Sequence, residues 1–259
     1  DANGFTVDFN SGTQYFNNSG TDYVAWCWKA GGDAVLNEVG DIDSQVSANT
    51  NAGFSIVKYT GNGIAGTTVG HGLNVNGVAT KPEFILFKNL DTAVSWIAYD
   101  TINNLIGYLD NTDTLTDGRR AWAVNNTDPT STVVTLGNNQ ATNDTSNFIM
   151  YCWHSVAGYS KIGTYTGATS GVTENIGFEP SMVIIKNETQ SDAWGIFDNK
   201  RPSGTDFRSY LYPNTADDED VYSSSLSGLS LTATGFTINN TNSNMINENG
   251  ETFLYMAFK

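Results

Sequence analysis

An apolar run bounded by proline on one side and Lys-Asn on the other occurs twice in this chain. The first copy reads Pro82, Glu83, Phe84, Ile85, Leu86, Phe87, Lys88, Asn89, and the second Pro180, Ser181, Met182, Val183, Ile184, Ile185, Lys186, Asn187. A short, nearly continuous apolar run of this kind predicts a buried strand. Each copy is followed by a polar gap and then a return strand. The return strands read Trp96, Ile97, Ala98, Tyr99, Asp100 and Trp194, Gly195, Ile196, Phe197, Asp198. Lys88 and Lys186, Trp96 and Trp194, and Asp100 and Asp198 each stand 98 residues apart, so the spacing is a repeat.

The pattern extends outward from these pairs. Residues 54–59 alternate and meet the turn signal Thr60, Gly61, Asn62, Gly63. Residues 159–165 match them and meet Thr166 and Gly167. Residues 67–73, 107–109, 121–124 and 132–136 read as shorter strands of the first unit, and 209–211 and 236–238 as strands of the second. Residues 148–153 and 253–258 close the two units, and residues 23–28 resemble both. No stretch of ten or more residues sustains a 3.6-residue apolar period, so little helix is expected.

These elements predict an all-β fold with two tandem antiparallel β-sandwich repeats, of jelly-roll or Greek-key type, over residues 51–157 and 158–259. Residues 1–50 read as an N-terminal β-hairpin, with strands at 5–9 and 23–28, followed by a linker holding one short strand at 35–36. The opening Gly4, Phe5, Thr6, Val7 matches Gly235, Phe236, Thr237, Ile238 near the end of a repeat. The expectation is a remnant of an earlier unit, in a piece of something longer.

The closing strands are apolar on both faces: Phe148, Met150 and Cys152 on one, Ile149, Tyr151 and Trp153 on the other. A sheet with one wet face would alternate apolar with polar. The second face therefore needs a cover from the next repeat, a long loop or another copy of the chain. Packing between repeats or chains is the favoured reading, and a homotrimer would supply it.

Composition narrows the function. Charged residues make up 15% of the 259, and the net charge is −15 with a pI near 4.2. Such a surface repels a phosphate backbone and an anionic membrane, which argues against nucleic acid and membrane partners. No run of 18 apolar residues exists to span a bilayer, and the first residues lack a basic segment followed by an apolar core.

Candidate chemistry is sparse. Cys27 and Cys152 occupy one position of equivalent strands, where the third copy has Ala257, and read as free buried thiols. His71 and His154 show no zinc spacing. Asp41, Ile42, Asp43, Ser44, Gln45 lacks the glycine and the final glutamate of a calcium loop. Asp217, Asp218, Glu219 and Asp220 crowd one loop and read as solvated carboxylates, with weak calcium binding as the alternative. Asp100 and Asp198 recur once per repeat, which suits loop capping better than the paired carboxylates of a glycosidase. No nucleophile elbow, phosphate loop or dinucleotide fingerprint occurs, so neither an enzyme nor a cofactor is expected.

Aromatic residues beside polar loops remain. Trp96 and Tyr99 with Asp100, and Trp194 with Asp198, Asn199, Lys200 and Arg201, are the candidate contacts to a glycan. Each ring could instead plug its own sandwich, and aromatics do dominate small β-cores. The second loop is the stronger candidate because Lys200 and Arg201 add donors there.

One resemblance covers nearly the whole chain, from Gly4 to Lys259. It is carried by the run from Tyr23 to Gly32, by Gly53 to Gly63, by Val69-Gly70-His71-Gly72-Leu73, and by Trp194 to Arg201. Together they resemble a family of repeat-containing bacteriophage proteins of marine phages, labelled tail fibre or virion structural protein. The resemblance implies a virion-surface location and a tail-fibre or adhesin segment that contacts host glycan or another receptor. It implies other virion proteins as partners and carries over no catalytic residue. Two other classes stay open: a purely structural virion part, such as a capsid decoration or fibre shaft, and the binding module of a glycan-active enzyme.

Overall fold

The computed structural model describes residues 4–7, 18–201, 209–215, 217, 219–221, 228–239 and 243–259. The fold is all-β, built from antiparallel sheets, with one short helix among the described residues. Two main sheets carry it. The first runs in the order Val35–Asn37, Ser44–Asn49, Phe54–Thr60, Asn147–Trp153, Phe84–Asn89, Ile97–Asp100, Leu105–Tyr108. The second runs Ser160–Thr166, Thr252–Phe258, Met182–Asn187, Gly195–Asp198. In both, the closing strand lies between the opening strand and the Lys-Asn strand. Met150 stands opposite Val57 and Phe87, and Tyr255 opposite Gly163 and Ile185.

Each main sheet is covered on one face by a small sheet. Thr68–Gly70 pairs with Val133–Thr135 in the first half. In the second, Gly235–Ile238 lies between Val172–Asn175 and Leu229–Thr232. Alternation along the closing strands then assigns their side chains. Phe148, Met150 and Cys152 fill the first sandwich, and Phe253, Tyr255 and Ala257 the second. Trp153, Leu254, Met256 and Phe258 point the other way into a third core, with Phe54, Phe84, Ile162 and Trp194. The two main sheets therefore pack back to back, and the second apolar face of each closing strand is covered by the other half of the same chain.

Polar links cross this seam. The Trp194 indole donates to the Tyr108 carbonyl at 3.0 Å, and the buried Lys186 ammonium to the Thr112 carbonyl at 3.3 Å. Lys186 also donates to Asp192 O at 2.5 Å, and burial lowers its pKa to about 8. The halves join through a tight turn in which Val156 and Ser160 bond to each other.

The structure differs from the sequence expectation in three places. Residues 23–28 form no ladder, and neither do residues 5–7; residues 8 and 9 of the expected hairpin lie outside the described ones. Trp26 and Trp28 instead turn inward against the third core, which leaves Cys27 exposed rather than buried. The stretch read as a linker holds the short strand expected at 35–36, as Val35–Asn37, and a second strand that was not expected: Ser44–Asn49 pairs along its whole length with Phe54–Thr60, and Val35–Asn37 adds the edge. Finally, the strand expected at 121–124 is the helix Arg120–Val124. Thr116 caps the 3-10 turn before it, and Asn125 and Asn126 end it in left-handed geometry at φ 50° and 52°. Arg120 and four residues of mixed Ala, Trp and Val cannot be told apart as helix or strand by period, and the caps decide.

Candidate functional site

Asp198 ends the strand Gly195–Asp198 and organises the loop that follows. Its Oδ1 accepts from the amides of Lys200 and Arg201 at 2.9 and 3.1 Å. Its Oδ2 accepts from Arg201 Nε at 2.6 Å and from the Trp26 indole at 3.3 Å. Burial pushes its carboxyl up, but the Arg201 side chain and the two amides outweigh burial and hold its pKa below 3.8. Arg201 is fully engaged: Nη1 donates to Glu219 at 2.5 Å, Nη2 to the Ile196 carbonyl at 3.1 Å, and its guanidinium lies 5.9 Å from the Trp26 ring centre. A guanidinium fixed at three points is a rigid support.

Asp100 caps its loop in the same way. Oδ1 accepts from the Ile102 amide at 2.9 Å and Oδ2 from the Asn103 amide at 3.1 Å. The loop-capping role expected of both aspartates is what the structure contains. Where the second half has Arg201, the first has Asn103, which donates to Glu188 Oε2 at 2.8 Å across the seam. Asp100 is wholly buried, and Glu188 lies beside it across the seam, where the Asp100 charge bears on Glu188. One copy of the loop is thus covered by the other half, and one faces outward.

This asymmetry sorts the predicted contacts. Tyr99, Asp100 and Trp194 are fully or almost fully buried and cannot meet a glycan at the surface. Tyr99 fills the first sandwich and Trp194 the seam. Trp96 is half-buried, stacked on Tyr151 at 6.3 Å. Asp198 is buried as a cap, while Asn199 is half-buried and Lys200 exposed. Of the acidic cluster, Asp217 and Glu219 are exposed, Asp220 opens the short strand Asp220–Val221, and Asp218 lies outside the described residues. Glu219 is paired with Arg201, and no group of three metal-binding side chains occurs among the described residues.

A groove of about 320 Å³ runs between residues 24–28 and the Asp198 loop. Trp26, Trp28 and Tyr159 give it aromatic faces; Ser181, Lys200 and Lys259 give it donors. Two lysines on one groove stand out in a chain of net charge −15. Sequence reasoning missed Trp26, Trp28, Tyr159, Ser181 and Lys259 here, because it placed residues 23–28 in a strand far from this loop.

The family comparison covers the same span as the fold. A model described as domain of unknown function (DUF7483) matches residues 1–259. The chain belongs to the DUF7483 family. No curated protein and no solved structure matches it. In this DUF7483 chain the groove is formed jointly by residues before the first sheet and by the second half, so the site depends on the whole matched span.

Proposed function

We propose that this chain is a bacteriophage virion-surface component that holds host-surface glycan in the groove between residues 24–28 and the Asp198 loop. One observation carries the reading: aromatic faces and exposed donors share an open groove, while the equivalent loop of the first half lies under Glu188. Aromatic rings give sugars an apolar platform, and a few placed donors give orientation. The best-placed carboxylates, Asp100 and Asp198, are engaged in capping, which supports binding rather than hydrolysis. The virion setting rests on the sequence resemblance. A trimer belongs to this proposal through the fibre resemblance alone, and light scattering on the purified chain tests it.

Binding of the full chain to a glycan array tests the site. Lys200→Ala and Tyr159→Ala should each weaken a bound glycan by about tenfold with unchanged melting temperature. An array without binders, on a folded chain that assembles with virion proteins, would favour the structural-component reading.

A further inference from the structure

The packing between the two main sheets is incomplete. A cavity of about 310 Å³ lies there, walled by Trp26, Trp28, Trp153 and Trp194 together with Ile184 and Met256. Four of the chain's six tryptophans meet at this one place. Among the described residues its wall holds no Asp, Glu, Lys, Arg or His. Protein interiors leave few voids larger than a water molecule. An enclosed apolar cavity of about 150 Å³ stays dry and takes up benzene, and this pocket, partly open to solvent, is about twice that size.

Two features separate it from a packing defect. The first is the wall itself. Trp26 and Trp28 come from residues that make no ladder, so this side is held through side chains: Trp28 meets Trp153 and Phe258 edge-on at 6.0 and 5.5 Å, and Trp26 bonds to Asp198. A wall held this way can part without breaking a sheet. The second is the density of rings: Phe84 and Tyr212 join the four tryptophans in the lining.

We infer that this cavity is a binding site for an uncharged, ring-bearing apolar small molecule. The absence of charge in the wall excludes an ionic ligand, because a buried unpaired charge is strongly disfavoured. The aromatic walls favour a ring, which they can stack on or meet edge-on. The site is separate from the glycan groove, although Trp26 and Trp28 border both.

Two probes that share a ring system and differ in charge test it on the full chain. N-phenylnaphthylamine is neutral, and anilinonaphthalenesulfonate adds one sulfonate. Tryptophan quenching and probe emission should show saturable one-to-one binding of the neutral probe, about tenfold tighter than the anionic one. Leu86→Trp and Ile184→Trp fill the space from opposite sheets. Each should weaken the neutral probe by about tenfold or more while keeping the melting temperature at or above that of the parent. The proposal fails if the neutral probe does not saturate, or if the sulfonate binds as well. It fails also if both filled variants bind the probe unchanged, which places the probe elsewhere. Destabilisation of both would mean that the space is already filled in solution.

Discussion

Asp100 and Glu188 are buried carboxyls in the seam between the two halves, linked by Asn103, whose backbone amide donates to Asp100 and whose side chain donates to Glu188. Asp100 is fully buried and Glu188 is 4% exposed. Asn103 donates to Glu188 Oε2, which leaves Oε1 without a donor unless the pair shares a proton. Burial first, then the charge and hydrogen bond of Asp100, push Glu188 up to about 9; burial also raises Asp100. Glu188 takes the larger push upward. Its pKa is higher folded than unfolded, so its contribution is fullest below about pH 4.5 and declines as pH rises toward 9. By neutral pH the loss is of order 1–3 kcal/mol. Glu188→Gln keeps a donor for Asp100 and an acceptor for Asn103 but cannot ionise. Melting temperatures from pH 5 to 8 should fall more steeply for the parent than for the variant. Parallel curves would show that the pair holds no shared proton.

The shared core makes a second prediction. Leu254, Met256 and Phe258 pack with Phe54, Phe84 and Trp153 between the sheets. At roughly 1.5–3 kcal/mol per buried side chain, separating the halves costs on the order of 10 kcal/mol as an upper bound. That equals the stability of a typical domain, so the halves should unfold together. Calorimetry of the full chain should give a single transition. A fragment ending at residue 157 should self-associate through the uncovered face, and light scattering would show it. A monomeric, cooperatively folding fragment would mean that the seam contributes little.

Much of this arrangement was legible in the sequence, and the residues show why. The Lys-Asn strands and two-faced closing strands announce themselves, because a run apolar on both faces has few alternatives. The capping aspartates were legible because each repeats at a fixed offset after an aromatic strand. What hid was context. Trp26 and Trp28 sit in a run that resembles a closing strand, and no local signal says that it lies on the seam instead of in a ladder. Glu188 follows the second Lys-Asn strand as Leu90 follows the first, yet Leu90 is exposed and Glu188 buried. Only the packing of one half on the other sets them apart. Asn76-Gly77 is a strong hairpin signal and does join Asn74–Val75 to Val78–Ala79, a segment to which the pattern of apolar runs assigns no element.

His71 gives a third prediction, opposite in sign to the first. It is fully buried, its Nδ1 accepts from the Leu73 amide at 3.1 Å, and its Nε2 lies 3.3 Å from the Thr130 carbonyl. An accepting Nδ1 places the proton on Nε2, where it can donate to that carbonyl. Burial lowers the pKa to about 4. The folded value lies below the unfolded one, so this contribution is present above pH 6.5 and is lost as pH falls toward 4. Nitrogen NMR should show the neutral Nε2–H form unchanged from pH 8 to 5. Protonation of His71 near pH 6.5 in the folded protein would overturn the assignment.

The matched turns after the opening strands allow the sharpest comparison of the two halves. A Cβ on Gly61 would stand 2.1 Å from the Asp144 carbonyl oxygen, and one on Gly167 2.1 Å from that of Glu248. Both obstacles are backbone, so neither can swing aside. Each turn is also held by a buried asparagine. Asn143 accepts from the Asn62 amide at 2.9 Å and donates to the Gly137 carbonyl at 2.8 Å; Asn247 accepts from the Ala168 amide at 2.8 Å and donates to the Ala168 carbonyl at 2.9 Å. The opening strand, glycine and asparagine thus form one clamp in each half, with Tyr59 and Tyr165 donating to the carbonyls of Thr142 and Ile246 at its back. Gly61→Ala and Gly167→Ala should each destabilise the chain by about 1–3 kcal/mol, the range for overpacking a tight site. Denaturant midpoints measure this. Similar losses in both variants would show that the two turns carry equal weight. A loss at Gly61 with none at Gly167 would mean that the second turn can relax, and its clamp through Asn247 would then be dispensable.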